Sequence, residues 1–305
     1  MRLQLAEPPR LLTPDAEGYP PGLRAALSSP PTLEVVGHLA TVGRLHVALV
    51  GTRRADREAE HFTEELAAEL AEAGAVIVSG GARGIDSAAH RGALAAGGIT
   101  WAVLATGLER AYPPENASLF GRIAAEGALL SEVYELAPPM KARFHSRNRL
   151  VAAIADVVVV VQAPERSGAL STAAFAMRYD KQVMVVPSAP WDPLGEGGLS
   201  LLARGSKICT NAADVLSLAG SGRPTRTRKD PGRRPKNDGI SRLDDVQKVV
   251  FEALSSRPRH VDELVRKTRL PLEDVQHALL GLILIGLAEE KGAGRYTLAP
   301  PRSRN

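Results

Sequence analysis

The chain has 305 residues, 44% of them hydrophobic and 24% charged, which is the composition of a globular protein with one large and one small domain. Its 38 Lys and Arg residues outnumber 34 Asp and Glu residues, and the net charge of +4 excludes a uniformly basic protein but not a local basic patch. The single cysteine, Cys209, excludes a disulfide framework and a cysteine-rich metal site. No run of about 18 apolar residues is present and the first residues lack the apolar core of a signal peptide, so we expect a cytoplasmic protein without a membrane span.

The first 43 residues are rich in proline, with Pro-Pro pairs at residues 8–9, 20–21 and 30–31. This composition predicts a short helix near residues 23–27 and little other regular structure. We interpret residues 1–43 as an ordered N-terminal strap laid against the main domain. A disordered leader is the alternative interpretation.

Residues 44–218 alternate between short apolar runs and helical patterns, and this alternation predicts an α/β fold, an extended Rossmann-like, doubly wound parallel sheet. The runs are apolar at every position, as in strands covered on both faces. The predicted strands are Val47–Val50, Val76–Ser79, Trp101–Ala105, Leu129–Ser131, Val157–Val161 and Val183–Val186. The predicted helices lie near residues 56–73, 86–97, 115–126, 146–155 and 168–180.

Two further segments follow the sheet domain. Residues 219–241 carry seven Lys and Arg residues with almost no hydrophobic ones, and we interpret them as a flexible basic linker; a basic arm with non-specific affinity for phosphates is the alternative. Residues 242–299 contain three amphipathic helical patterns and a hairpin with a glycine tip, which predicts a small winged-helix domain. Its third helix offers Glu273, Asp274, Gln276 and His277 instead of arginines, so we favour dimerisation or partner docking over duplex DNA reading there.

Glycine-rich or polar turns follow the first five predicted strands at their carboxyl ends, where open parallel sheets bind ligands. Their glycines let the backbone approach a ligand, and free amides at helix starts bind phosphate oxygens. We therefore expect these turns to converge on a single site. The turns are residues 51–53, 80–86, 106–113, 132–149 and 162–172.

The segment Lys141–Arg149, KARFHSRNR, packs four Lys and Arg residues around one aromatic ring, Phe144. Single-stranded nucleic acid is bound in this way, by positive charge on its backbone and stacking of its bases. A core position for Phe144 with a solvated arginine face is the alternative.

Two other constellations carry less weight. Asp86 and His90 have the i, i+4 spacing of a metal or acid–base pair, but Asp86 is better explained as a residue that bonds the glycine turn or the first helical turn. In the segment ERSGALST, Ser167 or Ser171 suits a helix cap, with phosphate binding as the alternative. We expect no catalytic residue, no cofactor and no metal.

Together these segments resemble the DNA-processing protein A family (DprA, also called Smf) over residues 20–215. The matching motifs are VALVGTR (47–53), SGGARGIDSAAH (79–90), AVLATGLERAYP (102–113), GALLSE (127–132), FHSRNRLVAAIAD (144–156) and SGALSTAAFA (167–176). The resemblance implies a homodimer that binds single-stranded DNA without catalysis and loads a RecA-type recombinase during natural transformation and recombination. It also implies a C-terminal winged helix, and weak contact of this domain with duplex DNA is a further alternative.

The resemblance places the DNA-binding pocket on both glycine-rich turns and on the basic–aromatic segment. We predict that Gly51, Thr52, Arg53, Gly80, Gly81, Arg83, Gly84, Lys141, Phe144, Arg147 and Asn148 bind DNA. The chain departs from the family pattern at Gly81, where leucine is usual, at Gln162, where glutamate is usual, and at Ser188, where glycine is usual. The helical N-terminal domain common in the family is not evident before residue 20.

An enzyme is the alternative from another class, namely a nucleotide or nucleoside-phosphate hydrolase on a related Rossmann-like sheet. Such phosphoribohydrolases carry a PGGxGT-type turn followed by an acidic residue, whereas the comparable turn here, residues 167–172, has no glutamate in the next helical turn. A dinucleotide oxidoreductase is disfavoured because no GxGxxG follows the first strand.

Overall fold

The computed structural model describes residues 3, 5–39, 43–134, 139–220, 243–292 and 294–299. The chain divides into two compact units, one ending at Ser221 and the other beginning at Gly222. Apart from residues 219 and 220, which end a helix, the predicted basic linker 219–241 lies outside the described residues. Within the described ranges, no helix is long and apolar enough to cross a membrane.

A nine-stranded sheet forms the centre of the first unit, with strand order β1-β2-β6-β5-β4-β3-β7-β8-β9. The strands are β1 Arg10–Leu12, β2 Leu33–Gly37, β3 His46–Val50, β4 Val76–Ser79, β5 Thr100–Leu104, β6 Ala128–Ser131, β7 Val157–Val160, β8 Gln182–Val185 and β9 Lys207–Ile208. In this spatial order, the seven strands β6-β5-β4-β3-β7-β8-β9 pair in parallel. Strands β1 and β2 are added antiparallel at the β6 edge. The predicted doubly wound sheet is confirmed.

Helices cover both faces of this sheet, which is why its central strands are buried at every position and mostly apolar. They are α1 Pro21–Ala26, α2 Arg57–Glu72, α3 Ile85–Ala95, α4 Ala117–Glu126, α5 Lys141–Ile154, α6 Gly168–Arg178, α7 Glu196–Ala203 and α8 Ala212–Gly220. On one face α5 and α6 pack against Ala48 and Val50 of β3. On the other face α2 and α3 pack against Val47 and Leu49 of the same strand.

The N-terminal residues contribute more to the fold than the sequence predicts. The short helix is present as α1, but the expectation of little other structure was wrong. Leu33, Val35 and Val36 are buried in β2, which pairs antiparallel with β6 and continues the sheet. Pro30 and Pro31 immediately precede this strand and obscure it in the sequence, although proline is compatible with a strand start.

The six strands predicted for the sheet domain agree with the structure to within one residue at each end. By contrast, α5 begins at Lys141 and not near residue 146, so the whole basic–aromatic segment is helical. The short strand β9 was not predicted, since two exposed residues give no hydrophobic pattern.

The second unit has the three helices and hairpin that the sequence predicts. Its helices are α9 Asp245–Ala253, α10 Val261–Thr268 and α11 Leu272–Leu284. Its antiparallel strands, in the order β10-β12-β11, are β10 Arg259–His260, β11 Ala288–Glu290 and β12 Arg295–Leu298. Asp244 and Gln247 form a capping box that starts α9, and Val250, Leu264, Leu279 and Tyr296 are buried in the core.

Candidate nucleic-acid interface

A pocket lies at the carboxyl edge of the sheet, where β3, β4 and β5 are neighbours. The turns after these strands and the first helical turn of α5 supply its walls, as the convergence of the turns predicts. Two arginines, two aromatic rings and four small or cyclic residues line it. They are Arg53, Gly80, Ala82, Arg83, Ala105, Tyr112, Pro113 and Phe144.

The outer layer of this pocket is a cluster of one cation and two aromatic rings. The guanidinium carbon of Arg53 lies over the ring of Phe144, 4.8 Å from its centroid. The ring of Tyr112 is tilted by 53° against that of Phe144, with 5.4 Å between centroids. Arg53 and Tyr112 are exposed and Phe144 is half-buried, so aromatic surface is open to a ligand.

Tyr112 is a pocket residue that the sequence prediction missed. The signal was present, because Tyr112-Pro113 ends the polar turn after the third predicted strand. Arg83 also lines the pocket, and its exposed guanidinium lies 3.5 Å from Oε1 of Glu115.

Arg147 forms a buried layer beneath the pocket and does not lie on its surface. Only 4% of this residue is exposed, and its Nη1 donates to the carbonyl oxygens of Gly80 and Val103. A Cβ atom on Gly80 would overlap the guanidinium, so this glycine makes room for a protein group. Burial lowers the pKa of Arg147 to about 10, Arg53 acts in the same direction and Asp86 opposes both. The structure therefore places Arg147, predicted to bind DNA, where it supports the second glycine-rich turn.

Asp86 and His90 serve the same buried layer. Oδ2 of Asp86 accepts a hydrogen bond from the Ala82 amide at 3.3 Å, which confirms the interpretation of Asp86 as a turn-bonding residue. Burial raises its pKa, and the nearby Arg147 opposes that rise. Thr100 donates its hydroxyl proton to the Ile77 carbonyl, so Nδ1 of His90 must donate to Oγ1 of Thr100, 2.7 Å away. No group of three or more His, Cys, Asp or Glu residues able to hold a metal ion occurs in the described part of the chain.

The two glycine-rich turns are hydrogen-bonded to each other and closely packed. The carbonyl of Thr52 accepts from the Ile85 amide at 3.3 Å, and the Thr52 amide donates to the Gln162 carbonyl at 2.7 Å. Gly84 has φ of +69°, and a Cβ there would overlap the Thr52 carbonyl. A Cβ on Gly51 would overlap the side chain of Ile85. These glycines thus allow close packing within the protein, whereas the sequence interpretation assigned that freedom to a ligand.

Three other predicted residues have different surroundings. Gly81 has φ of +67°, and a Cβ there would lie 2.8 Å from the ring of Phe120. Lys141 is exposed at the first residue of α5. Nδ2 of Asn148 donates to the Gly168 carbonyl at 3.1 Å and to Oγ of Ser171 at 2.7 Å, which joins α5 to α6. Ser167 caps α6 by accepting from the Ala169 amide, as the helix-cap interpretation predicts.

Comparisons with known proteins cover both units of the chain. A family model described as DNA recombination-mediator protein A matches residues 10–220, and one described as the DprA winged helix domain matches residues 234–294. Protein Smf from Synechocystis sp. is 33% identical in an alignment that covers 94% of this chain and 80% of that protein. A putative DNA processing protein DprA from Mycobacterium tuberculosis is 38% identical, over 92% of this chain and 75% of that protein.

Solved structures give the same result. DNA processing protein A from Streptococcus pneumoniae superposes with a TM-score of 0.65 at 35% identity, covering 68% of this chain and 73% of that one. DNA processing protein A from Helicobacter pylori, a structure described as giving insight into its single-stranded DNA binding mode, has a TM-score of 0.64 at 33% identity and covers 72% of this chain and 99% of that one. The matched family models, the relatives that align over more than 90% of this chain and the shared fold together establish that this chain belongs to the DNA recombination-mediator protein A family, DprA.

Proposed function

We propose that this chain binds single-stranded DNA at the pocket of Arg53, Arg83, Tyr112 and Phe144. The observation that carries the proposal is the guanidinium of Arg53 over the ring of Phe144, with Tyr112 against the same ring. An aromatic ring offers a face on which a base stacks, and the arginines neutralise the adjacent phosphates. The single-stranded DNA binding described for the Helicobacter pylori relative supports single-stranded DNA as the ligand.

Single strands should be preferred over duplex DNA at this pocket. Stacking on Tyr112 or Phe144 requires a base whose face is free, and in a duplex each base is already stacked within the helix and paired. The two rings lie side by side at the mouth of a pocket, so they suit bases splayed from one strand.

The pocket lining offers charge and stacking, which are the means of binding. Asp86 and His90 have the spacing of an acid–base pair, but both side chains are buried. Asp86 is hydrogen-bonded to the second glycine-rich turn, and His90 is hydrogen-bonded to Thr100 of β5. We therefore propose a non-catalytic role. Release of a base from AMP by the purified chain would instead support the hydrolase alternative.

The wider role that we propose is protection of single strands and loading of a RecA-type recombinase in natural transformation and recombination, by a cytoplasmic homodimer. Membership of the recombination-mediator family supports this role. For the winged helix we propose partner docking, with weak duplex contact as the second option. Its helix α11 exposes Glu273 and His277, whereas α10 exposes Arg266 and Lys267.

The decisive experiment is fluorescence anisotropy with a labelled single-stranded oligonucleotide and the matching duplex across a salt series. The wild type should bind the single strand more tightly, and its affinity should fall steeply with salt because phosphates are neutralised. The double variant Lys141→Ala with Phe144→Ala should lose most of this binding. Arg53→Ala alone should weaken it by about 1–3 kcal/mol, the scale of a charged hydrogen bond left unmade.

Arg122→Ala is the matched control, since Arg122 is an exposed arginine paired with Glu126 in α4. It should leave binding unchanged. Equal affinity for single strand and duplex at moderate salt would contradict the proposal. Binding that survives in the double variant would move the DNA site to the basic segment 219–241 or to the winged helix. Loading of a recombinase is tested separately, by strand exchange on DNA already coated with single-strand-binding protein.

A further inference from the structure

Trp191 is the most exposed large hydrophobic side chain in the described part of the chain. It is 85% exposed, compared with 65% for Leu11 and 55% for Ile208, the next two. A tryptophan in this position gains almost nothing from the hydrophobic effect, because its ring stays in water. Its ring is therefore available to a partner.

Hydrogen bonds define the turn that carries Trp191. The Asp192 amide donates to the Ala189 carbonyl at 2.9 Å, which closes a β-turn with Pro190 and Trp191 at its two central positions. Oδ1 of Asp192 then accepts from the Leu194 amide at 2.9 Å and holds the next turn. Because these hydrogen bonds order the backbone without a ligand, they lower the entropy cost of binding to the ring.

Trp191 also lies at the same edge of the sheet as the Phe144 pocket. It follows β8, which runs parallel to β7, and β7 is the neighbour of β3, the strand that ends at Arg53. Two strand spacings separate β8 from β3, roughly 10 Å across the sheet. Hydrogen bonds join the turns along this edge, from the Thr52 amide to the Gln162 carbonyl and from the Gly197 amide to the Ala163 carbonyl.

We infer that Trp191 is a second base-stacking platform for single-stranded DNA, reached by the strand after it crosses residues 162–167 from the Phe144 pocket. This inference rests on the proposed function. The crossing turn exposes both Arg166 and Glu165, so opposite charges stand side by side there and contribute little net attraction for phosphates. Trp191 should therefore act through stacking, which depends weakly on salt, and its effect should differ from that of Arg53.

Intrinsic fluorescence makes the test direct, because the chain has two tryptophans. Trp101 is buried, 1% exposed, and packs against His46, so its emission serves as a constant background. The full chain would be titrated with unlabelled single strands of about 4 to about 16 nucleotides, the range of known single-strand site sizes. Short strands should bind in a Phe144-dependent manner without quenching, and strands beyond a threshold length should quench the emission of Trp191.

The matched affinity measurement uses Trp191→Ala, Trp191→Phe and Leu11→Ala. Trp191→Ala should weaken binding of the long strands about tenfold, leave the short strands unaffected and keep the slope of affinity against salt. Trp191→Phe, which keeps a ring, should recover most of the affinity. Leu11→Ala removes an exposed apolar side chain from the opposite edge strand and should change nothing.

Three outcomes would overturn the inference. If Phe144→Ala weakens binding while Trp191→Ala does not and no strand quenches Trp191, the proposed function stands and the second platform does not exist. If the wild type binds no single strand, both fail together. If the emission of Trp191 depends on protein concentration in the absence of DNA and not on added strands, the ring is a contact between copies of this chain.

Discussion

Arg53 and Arg147 belong to two layers of the same candidate site and have opposite surroundings. Arg53 is exposed and contacts the face of Phe144, whereas Arg147 is 4% exposed and donates to the carbonyls of Gly80 and Val103. The two side chains influence each other, since the charge of Arg53 helps to lower the pKa of Arg147. One layer lines the open pocket and the other holds the turns that shape it.

This difference teaches that residue type alone does not assign a role at a basic site. A buried guanidinium must recover its lost hydration through hydrogen bonds and a counter-charge, and here two carbonyls and Asp86 provide them. An exposed guanidinium stays hydrated, so its hydrogen-bond donors are available to phosphates. Substitutions should therefore separate the layers, those in the buried layer lowering stability and those in the outer layer lowering DNA affinity.

The largest effect should come from Arg147→Met. This change leaves the Gly80 and Val103 carbonyls without their donor and Asp86 without its buried counter-charge, so we expect the free energy of unfolding to fall by about 3–5 kcal/mol. Urea denaturation followed by circular dichroism measures the loss. Arg53→Met is the matched control and should change stability by less than about 0.5 kcal/mol. A stable Arg147→Met protein that no longer binds DNA would contradict the comparison and make Arg147 a ligand contact.

Gly84→Ala should affect both layers. The backbone of Gly84 has φ of +69°, and the new Cβ would overlap the Thr52 carbonyl and lie 3.2 Å from Cα of Arg53. We expect a loss of about 2–3 kcal/mol of stability together with weaker single-strand binding, since the turn that carries Arg53 must shift. Gly97→Ala is the control that measures the cost of a positive φ alone, because Gly97 has φ of +66° and a Cβ there meets nothing within 4 Å. An equal loss in both variants would show that the packing of the two turns is unimportant.

The buried layer should also respond to pH through His90. Burial lowers the pKa of this histidine to about 3, with smaller contributions from Arg147 and Arg91, while the unfolded chain titrates near 6.5. Between these values the unfolded state binds the proton and the folded state does not, so stability is lost as the pH falls below about 6.5. The loss should reach about 2 kcal/mol at pH 5 relative to pH 7.

Denaturation of the wild type and of His90→Gln at pH 7 and pH 5 isolates this contribution. The wild type should lose about 2 kcal/mol more than the variant over this interval. His61→Gln is the control, because the His61 side chain is 70% exposed and should keep the wild-type response. Identical pH dependence in the wild type and His90→Gln would mean that His90 accepts a proton in the folded protein.

Much of the fold could be predicted because β3, β4 and β7 are buried along their whole length and apolar at all but one residue each of β3 and β4, and glycine-rich or polar turns mark their ends. Strand β2 is buried at all but one residue, but Pro30 and Pro31 precede it, and its pairing with β6 shows that it belongs to the sheet. Helix α5 begins five residues before the predicted start at residue 146, because only Ala142 is buried among residues 141–145 and a single buried position gives no hydrophobic pattern.

The outer layer of the site was easier to anticipate than the layer beneath. Phe144 among cations and Arg53 after a strand are visible in the sequence, and the structure brings both into one pocket. The burial of Arg147 depends on the missing side chain of Gly80, a residue 67 positions away. Such a pairing between distant residues leaves no local signal, and the neighbouring arginines of α5 look identical in sequence.

The smallest effect should come from Tyr112, whose ring belongs wholly to the outer layer. Tyr112 is 36% exposed and packs against Phe144, so Tyr112→Ala should leave the unfolding free energy within about 0.5 kcal/mol of the wild type. Its loss should weaken single-strand binding by about 1 kcal/mol, the lower end of the stacking scale for one base, since Phe144 remains. Tyr112→Phe keeps the ring and should bind like the wild type, as anisotropy at fixed salt can measure. If Tyr112→Phe were as weak as Tyr112→Ala, the phenolic hydroxyl and not the ring face would contact DNA, and the outer layer would bind through hydrogen bonds at this position instead of stacking.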